Sequence, residues 1–319
     1  MDAQLNTKRI LIFLAIAFGI SCTVTLATYL SGAMKANPIL AGTVANYIVV
    51  LSPALANVAT RLITREGWGR LWLRPNFRRG WRFYLAAWLL PFLAVCVGGA
   101  IFFLLFPQSF DPNLGALRKL GASFPPAAAA NPWMGLLSLT VYLLIVGLVI
   151  NGVVSIGEDF GWRAYLLQKL MVRFGGAERP SADGASASAA RKAALLVGVI
   201  WSVWHWPLFF LGASAGYPYP NLLLYLVTTC SFSVLLSWVT LRSGSVWPAS
   251  IGHGMINATS VLPGYLLQGP ASPLLGPGIP GLIGGLGYLA LALVLLFSRK
   301  AFAGEKEPRP ESMQAVVVA

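Results

Sequence analysis

From Met134 to Ile156 the chain carries no charged residue, and that run leads straight into Gly157-Glu158-Asp159-Phe160-Gly161-Trp162-Arg163. An uncharged stretch of this length is long enough to cross about 30 Å of hydrocarbon as a helix. Lipid offers no hydrogen bonds to the backbone, so a single segment crosses as a helix. Two carboxylates and a guanidinium then arrive at membrane depth. A charge there costs about 2.5–3.5 kcal/mol or more, and such groups face a bundle interior or a water-filled cavity. The motif therefore requires other helices around it.

The rest of the chain supplies them. Of 319 residues, 57% are hydrophobic and only 10% are charged, against about 25% charged in a soluble domain. Apolar segments at about Ile10–Ala33, Ile39–Leu62, Phe83–Phe106, Trp133–Ile156, Ala194–Leu211, Asn221–Leu241, Val246–Leu262 and Ile279–Phe297 read as about eight spans. The expected fold class is all-α: a polytopic transmembrane helical bundle with N- and C-termini cytoplasmic. The first segment exceeds the roughly 7–15 apolar residues of a signal-peptide core, so it reads as a retained span. Pro53 inside the second is tolerable where neighbouring helices satisfy the freed carbonyl.

Three regions follow. Residues 1–132 hold the first spans and a basic loop, 133–262 hold the acidic motif and both histidines, and 263–319 hold the last span and a charged tail. The tail contains Pro308 and Pro310 and no terminal prenylation box. Between Arg163 and Phe174 an amphipathic helix is expected, followed by a polar linker from Gly175 to Ala190 closed by Arg191-Lys192. The segments Pro107–Pro132, Gly212–Pro220 and Pro263–Gly278 read as loops.

The net charge of +13 raises the question of nucleic acid. The eight-span topology puts 20 of the 23 Lys and Arg on one side, the exceptions being Lys35, Arg118 and Lys119. That is the positive-inside pattern, so the expected neighbours are membrane lipids with acidic headgroups and no nucleic acid. The most basic stretch, Arg61 to Arg82, interleaves Trp68, Trp72 and Trp81 and reads as an interfacial segment on the cytoplasmic face. Cys22, Cys96 and Cys230 all fall in apolar spans and read as small buried residues, with no disulfide framework.

Three short motifs hold nearly all the ionisable and amide groups expected to be buried in the C-terminal half. Asn151 is the main leftover and reads as interhelical packing. Asp159 and Arg163 are four apart, so on a helix they share a face and can pair. Glu158 points about 100° away. A carboxylate in such a place, without a paired cation, suits general-base work. His205 lies in Trp201-Ser-Val-Trp-His, with Trp201 one turn before it. His253 and Asn257 are also four apart and project to one side; two donors side by side can stabilise an oxyanion. Taken singly, each has an ordinary reading, such as a satisfied contact between helices. The weight comes from the set, and the chain has only two histidines.

At these residues the sequence resembles the CAAX protease and bacteriocin-processing family of intramembrane proteases, also called the abortive-infection family. The family pattern Glu-Glu-x-x-x-Arg stands here as Glu158-Asp159-Phe-Gly-Trp-Arg163. Phe-x-x-x-His stands as Trp201-Ser-Val-Trp-His205, and His-x-x-x-Asn as His253-Gly-Met-Ile-Asn257. The resemblance covers about Trp133 to Leu262. It implies a glutamate-dependent endopeptidase in a multi-pass bacterial inner-membrane protein. The substrate is a peptide or protein, prenylated CAAX-type or otherwise membrane-associated, entering from the membrane or the cytoplasmic face. By that analogy Glu158 and His205 activate water, His253 and Asn257 form the oxyanion site, and Asp159 and Arg163 support Glu158. Two departures stand out. Asp159 is one methylene shorter than the family glutamate yet still within reach of Arg163. Trp201 replaces phenylalanine, with an altered pocket shape as the expected result.

No cofactor is expected. The competing readings are a metal-dependent protease with zinc on Glu158, His205 and His253, a proton-coupled transporter, and a non-catalytic bacteriocin-immunity or scaffold protein. No His-Glu-x-x-His motif is present for the first, and no pair of matching broken helices is evident for the second.

Overall fold

A computed structural model describes residues 3–119, 131–178, 184–210, 221–270 and 272–303. All the regular elements among them are helical. The long helices are α1 (Ala3–Leu30), α2 (Pro38–Ile63) and α3 (Phe77–Leu105). α4 (Pro132–Val146) runs through a π-helical turn, Gly147–Asn151, into α5 (Gly152–Gly161). A second π turn, Trp162–Leu166, leads into α6 (Leu167–Arg173). Then come α7 (Gly184–Phe210), α8 (Asn221–Ser243), α9 (Trp247–Thr259) and α10 (Leu286–Phe297). Short turns of helix at Gly115–Arg118 and Leu262–Leu266 meet at one end of the bundle, where Phe110 and Leu267 form an isolated bridge.

Six helices are long and apolar enough to cross a membrane, and the shorter α10 is apolar as well. The chain is a multi-pass membrane protein. Each of the eight apolar segments contains a helix, but the seventh and eighth are only 13 and 12 residues long. Large apolar side chains such as Leu104, Val153 and Phe297 remain exposed on the outside, as lipid contact requires.

The architecture differs from the sequence-based expectation in five places. The fourth span does not stop at Ile156; helix continues from Pro132 to Arg173. Residues Trp162 to Met171 are buried, so the stretch after Arg163 is not an amphipathic surface helix. Phe13 of α1 lies against Trp162 and Tyr165 and covers it. The Gly175–Ala190 linker is shorter than expected, because α7 already begins at Gly184. Its Ser186, Ala187, Ala189 and Ala190 are small enough to pack tightly, and all are buried. Gln168 and Lys169 are buried polar groups outside the three motifs. Cys22 and Cys96 are exposed rather than buried, on the outside of α1 and α3. The loop Gly212–Pro220 and nearly all of the charged tail lie outside the described residues, as do parts of the Pro107–Pro132 loop and the linker.

One end of the bundle gathers charge. Lys169 lies 2.5 Å from Glu66 Oε1 and 3.1 Å from Glu178 Oε1. Arg9 pairs with Glu66 at 3.3 Å, and Arg70 pairs with Glu178. α1, the end of α2, the loop after it and α6 are thus tied together. The irregular loop before α3 is pinned to the α8–α9 turn: Val246 N–H donates to Trp72 O at 2.9 Å, and Trp247 Nε1 to Leu73 O at 2.8 Å.

α9 sits centrally, packed on α3, α5, α8 and the first π turn. Its approach to the α4–α5 segment depends on Gly254. A Cβ there would overlap the Gly152 amide and the Gly147 carbonyl. Gly161 does the same for α5 against Pro53 of α2. Lipid is as apolar as leucine, so small residues and close van der Waals contact hold such helices together.

Candidate active site

Glu158 and Asp159 occupy the last turn of α5, between the two π turns. π turns widen a helix locally and are frequent at functional sites. Both carboxylates are buried, Glu158 at 4% exposure and Asp159 at 0%. Asp159 Oδ1 lies 2.9 Å from Arg163 Nη1, the pair expected from the four-residue spacing. Asp159 Oδ2 lies 3.1 Å from His253 Nδ1, a link across to α9. The carboxylate is acceptor-only when ionised, so Nδ1 is the donor.

Arg163 is fully buried. None of its N–H groups makes a well-aligned hydrogen bond to the described residues. It is held by the Asp159 charge and by the face of Trp201, 4.2 Å from guanidinium carbon to ring centroid. Cation–π contact of this kind strengthens when water is excluded.

Trp201, on α7, reaches Glu158: its Nε1 donates to Oε2 at 2.5 Å. Its carbonyl oxygen lies 2.9 Å from His205 Nδ1 one turn on. A carbonyl only accepts, so Nδ1 carries the hydrogen, and in the neutral ring Nε2 holds the lone pair. The Trp201 ring stands edge-on to His253 with centroids 5.0 Å apart, and tilted to His205 at 5.7 Å. Trp204 and Tyr225 pack on the other sides of the His205 ring. Both imidazoles lie within the electrostatic reach of Glu158.

Five of the six expected site residues therefore meet: Glu158, Asp159, Arg163, His205 and His253. The sixth, Asn257, lies one turn beyond His253 on α9 and is exposed. Its side chain makes no hydrogen bond to the described residues, and its carbonyl accepts from Ser260 Oγ at 3.4 Å. Trp201 was expected only to shape the pocket; that its indole hydrogen would meet Glu158 could not be read from spacing, because the two lie on different helices.

Among the described residues no three His, Cys, Asp or Glu side chains are grouped as a metal site requires. Two cavities stand out elsewhere. An apolar groove of about 660 Å³ lies between α3, α4 and the Leu262–Leu266 turn. A basic groove of about 1150 Å³ is lined by Arg70, Arg74, Arg78, Arg79 and Arg242. Neither is lined by any of the six site residues.

Fold and site together define a multi-pass helical membrane protein with a carboxylate–imidazole cluster buried between three of its helical segments. Residues 138–259 match the family described as "Type II CAAX prenyl endopeptidase Rce1-like", and this segment contains all three motifs. The chain is also similar to CAAX prenyl protease 2 of Methanococcus maripaludis, with 25% identity over 151 residues. That alignment takes in 46% of this chain and 47% of the relative, so the chain spans about half the length of the curated relative it matches.

Proposed function

We propose that the protein is an intramembrane endopeptidase that hydrolyses a peptide bond with water activated by Glu158 and His205. The observation that supports it best is the convergence of Glu158, His205 and His253 around one buried tryptophan, inside the segment that matches the protease family. In this reading a water sits between Glu158 Oε1 and His205 Nε2, neither of which has a hydrogen-bond partner among the described residues. Glu158 takes a proton as the water oxygen attacks the scissile carbonyl carbon. The tetrahedral intermediate places its oxyanion near His253 Nε2 and the Asn257 amide. Since Nδ1–H of His253 faces Asp159, donation from Nε2 needs a second ring proton, and the Asp159 carboxylate is the counter-charge for that imidazolium. On collapse Glu158 returns the proton to the departing amine, and the C–N bond breaks.

The substrate class proposed is a CAAX-type prenylated peptide or another membrane-associated peptide, entering from the bilayer or the cytoplasmic face. The membrane proposed is the bacterial inner membrane, with both termini cytoplasmic.

The test is cleavage by purified protein in liposomes, followed by mass spectrometry of membrane proteins from cells with and without it. Glu158→Gln is expected to stay folded and to lose turnover by about 10³-fold or more, as removal of a general base that also positions water does. Full turnover by that variant overturns the mechanism. Activity that disappears in chelator and returns with zinc redirects the reading to a metalloprotease.

A further inference from the structure

We propose that Trp201 is a positioning residue for this hydrolysis, its indole N–H and its carbonyl oxygen aiming Glu158 and His205 at one water. The proposal rests on the endopeptidase reading and adds a residue that the family pattern, with phenylalanine at this position, treats as a bulky aromatic.

The indole donates to Glu158 Oε2 at 2.5 Å, and the same residue's carbonyl accepts from His205 Nδ1 at 2.9 Å. An indole N–H only donates. Oε2 is therefore engaged, and Oε1 is the oxygen left to receive a proton from water. The carbonyl engages Nδ1, which leaves Nε2 to face the same water. One residue thus sets the presented atom of both groups, the first through its side chain and the second through its backbone.

The indole itself is held firmly. It is 2% exposed, lies under the Arg163 guanidinium, meets His253 edge-on and touches Phe232 at 6.5 Å. No other described residue donates a hydrogen bond to the Glu158 carboxylate. Phenylalanine in its place keeps the backbone carbonyl and most of the ring volume, but it has no hydrogen for Oε2. Glu158 then has no fixed rotamer. Misplacing a reacting group by about 1 Å can cost about 100-fold in rate.

The experiment compares wild type, W201F and E158Q in proteoliposomes on an internally quenched farnesylated peptide ending in a C-a-a-X sequence. W201F is expected to lower kcat by about 10- to 100-fold, the effect of one charge-assisted hydrogen bond. Its KM is expected to stay within about twofold, and its melting temperature near that of wild type. Wild-type kcat in W201F, or a loss confined to KM, overturns the proposal while leaving the E158Q result to judge the endopeptidase reading. If wild type and E158Q perform alike on the probe, that reading falls and the catalytic role falls with it.

Ultraviolet resonance Raman keeps the hydrogen bond testable without turnover and without a folded W201F. The difference spectrum between wild type and E158A should show one strongly hydrogen-bonded indole moving to a weakly bonded position. No such shift shows that the contact is absent and overturns the proposal.

Discussion

Asp159 holds two partners at once, Arg163 along its own helix and His253 across to α9. One carboxylate thereby neutralises a guanidinium with no exposure and fixes an imidazole tautomer. Asp159→Ala should therefore do more than weaken catalysis. Removing one partner of a buried pair leaves an uncompensated charge, which costs about 3–5 kcal/mol. A large fall in melting temperature in detergent is expected, whereas Asp159→Glu, which keeps a carboxylate within reach of Arg163, should retain most of the stability. If Asp159→Ala melts like wild type, Arg163 has another counter-charge. Glu158 differs from its neighbour in kind. Its described hydrogen bond comes from a neutral indole, so it keeps the acceptor capacity that a base needs.

At the scale of elements, α9 and α5 must touch for His253 to reach Asp159. Gly254, next to that histidine, allows it. Gly254→Ala puts a methyl group against the Gly152 amide and the Gly147 carbonyl, and backbone cannot swing aside as a side chain can. Overpacking of this sort costs about 1–3 kcal/mol. The expected result is a lower melting temperature together with lost cleavage, since the helices separate at the site; unchanged activity would mean that the two helices can part without moving His253.

The charged end of α6 is a second joint between elements. There burial acts to raise the Glu178 carboxyl above its ordinary range, but hydrogen bonds and charge from Arg70 and Lys169 outweigh it and hold the group lower. A carboxyl lowered in the folded state adds stability above its unfolded value of about 4.3, and that stability is lost as pH falls through the lower folded value. Glu178→Gln should therefore reduce the melting temperature at pH 7 and narrow its difference from wild type below about pH 4. A difference that stays constant across that range would show that the ion pairs contribute nothing.

For the whole molecule, the distribution of cations makes an orientation testable. The ends of α2, α6 and α8 lie on the side of Arg9, Glu66 and Lys169, while the turns at Gly115–Arg118 and Leu262–Leu266 lie together elsewhere. A cysteine placed at Asn113 should react with a membrane-impermeant maleimide from outside intact cells, and one placed at Ala303 only after the membrane is opened. Labelling in the reverse order would invert the proposed topology and put the charged face outside.

The membrane bundle could be read from the chain alone, because long uncharged runs have no other stable destination, and the pairing of Asp159 with Arg163 followed from helical periodicity. The three motifs marked the residues that would have to meet. Only the tertiary structure determined how they meet: His253 on Asp159, the Trp201 indole on Glu158, α6 buried instead of lying at the surface, and Asn257 left exposed. Those outcomes depend on the angle and depth at which separate helices cross, and local periodicity carries no information about that. They are set by residues such as Gly254, Gly161 and Phe13, which act only when another helix is against them.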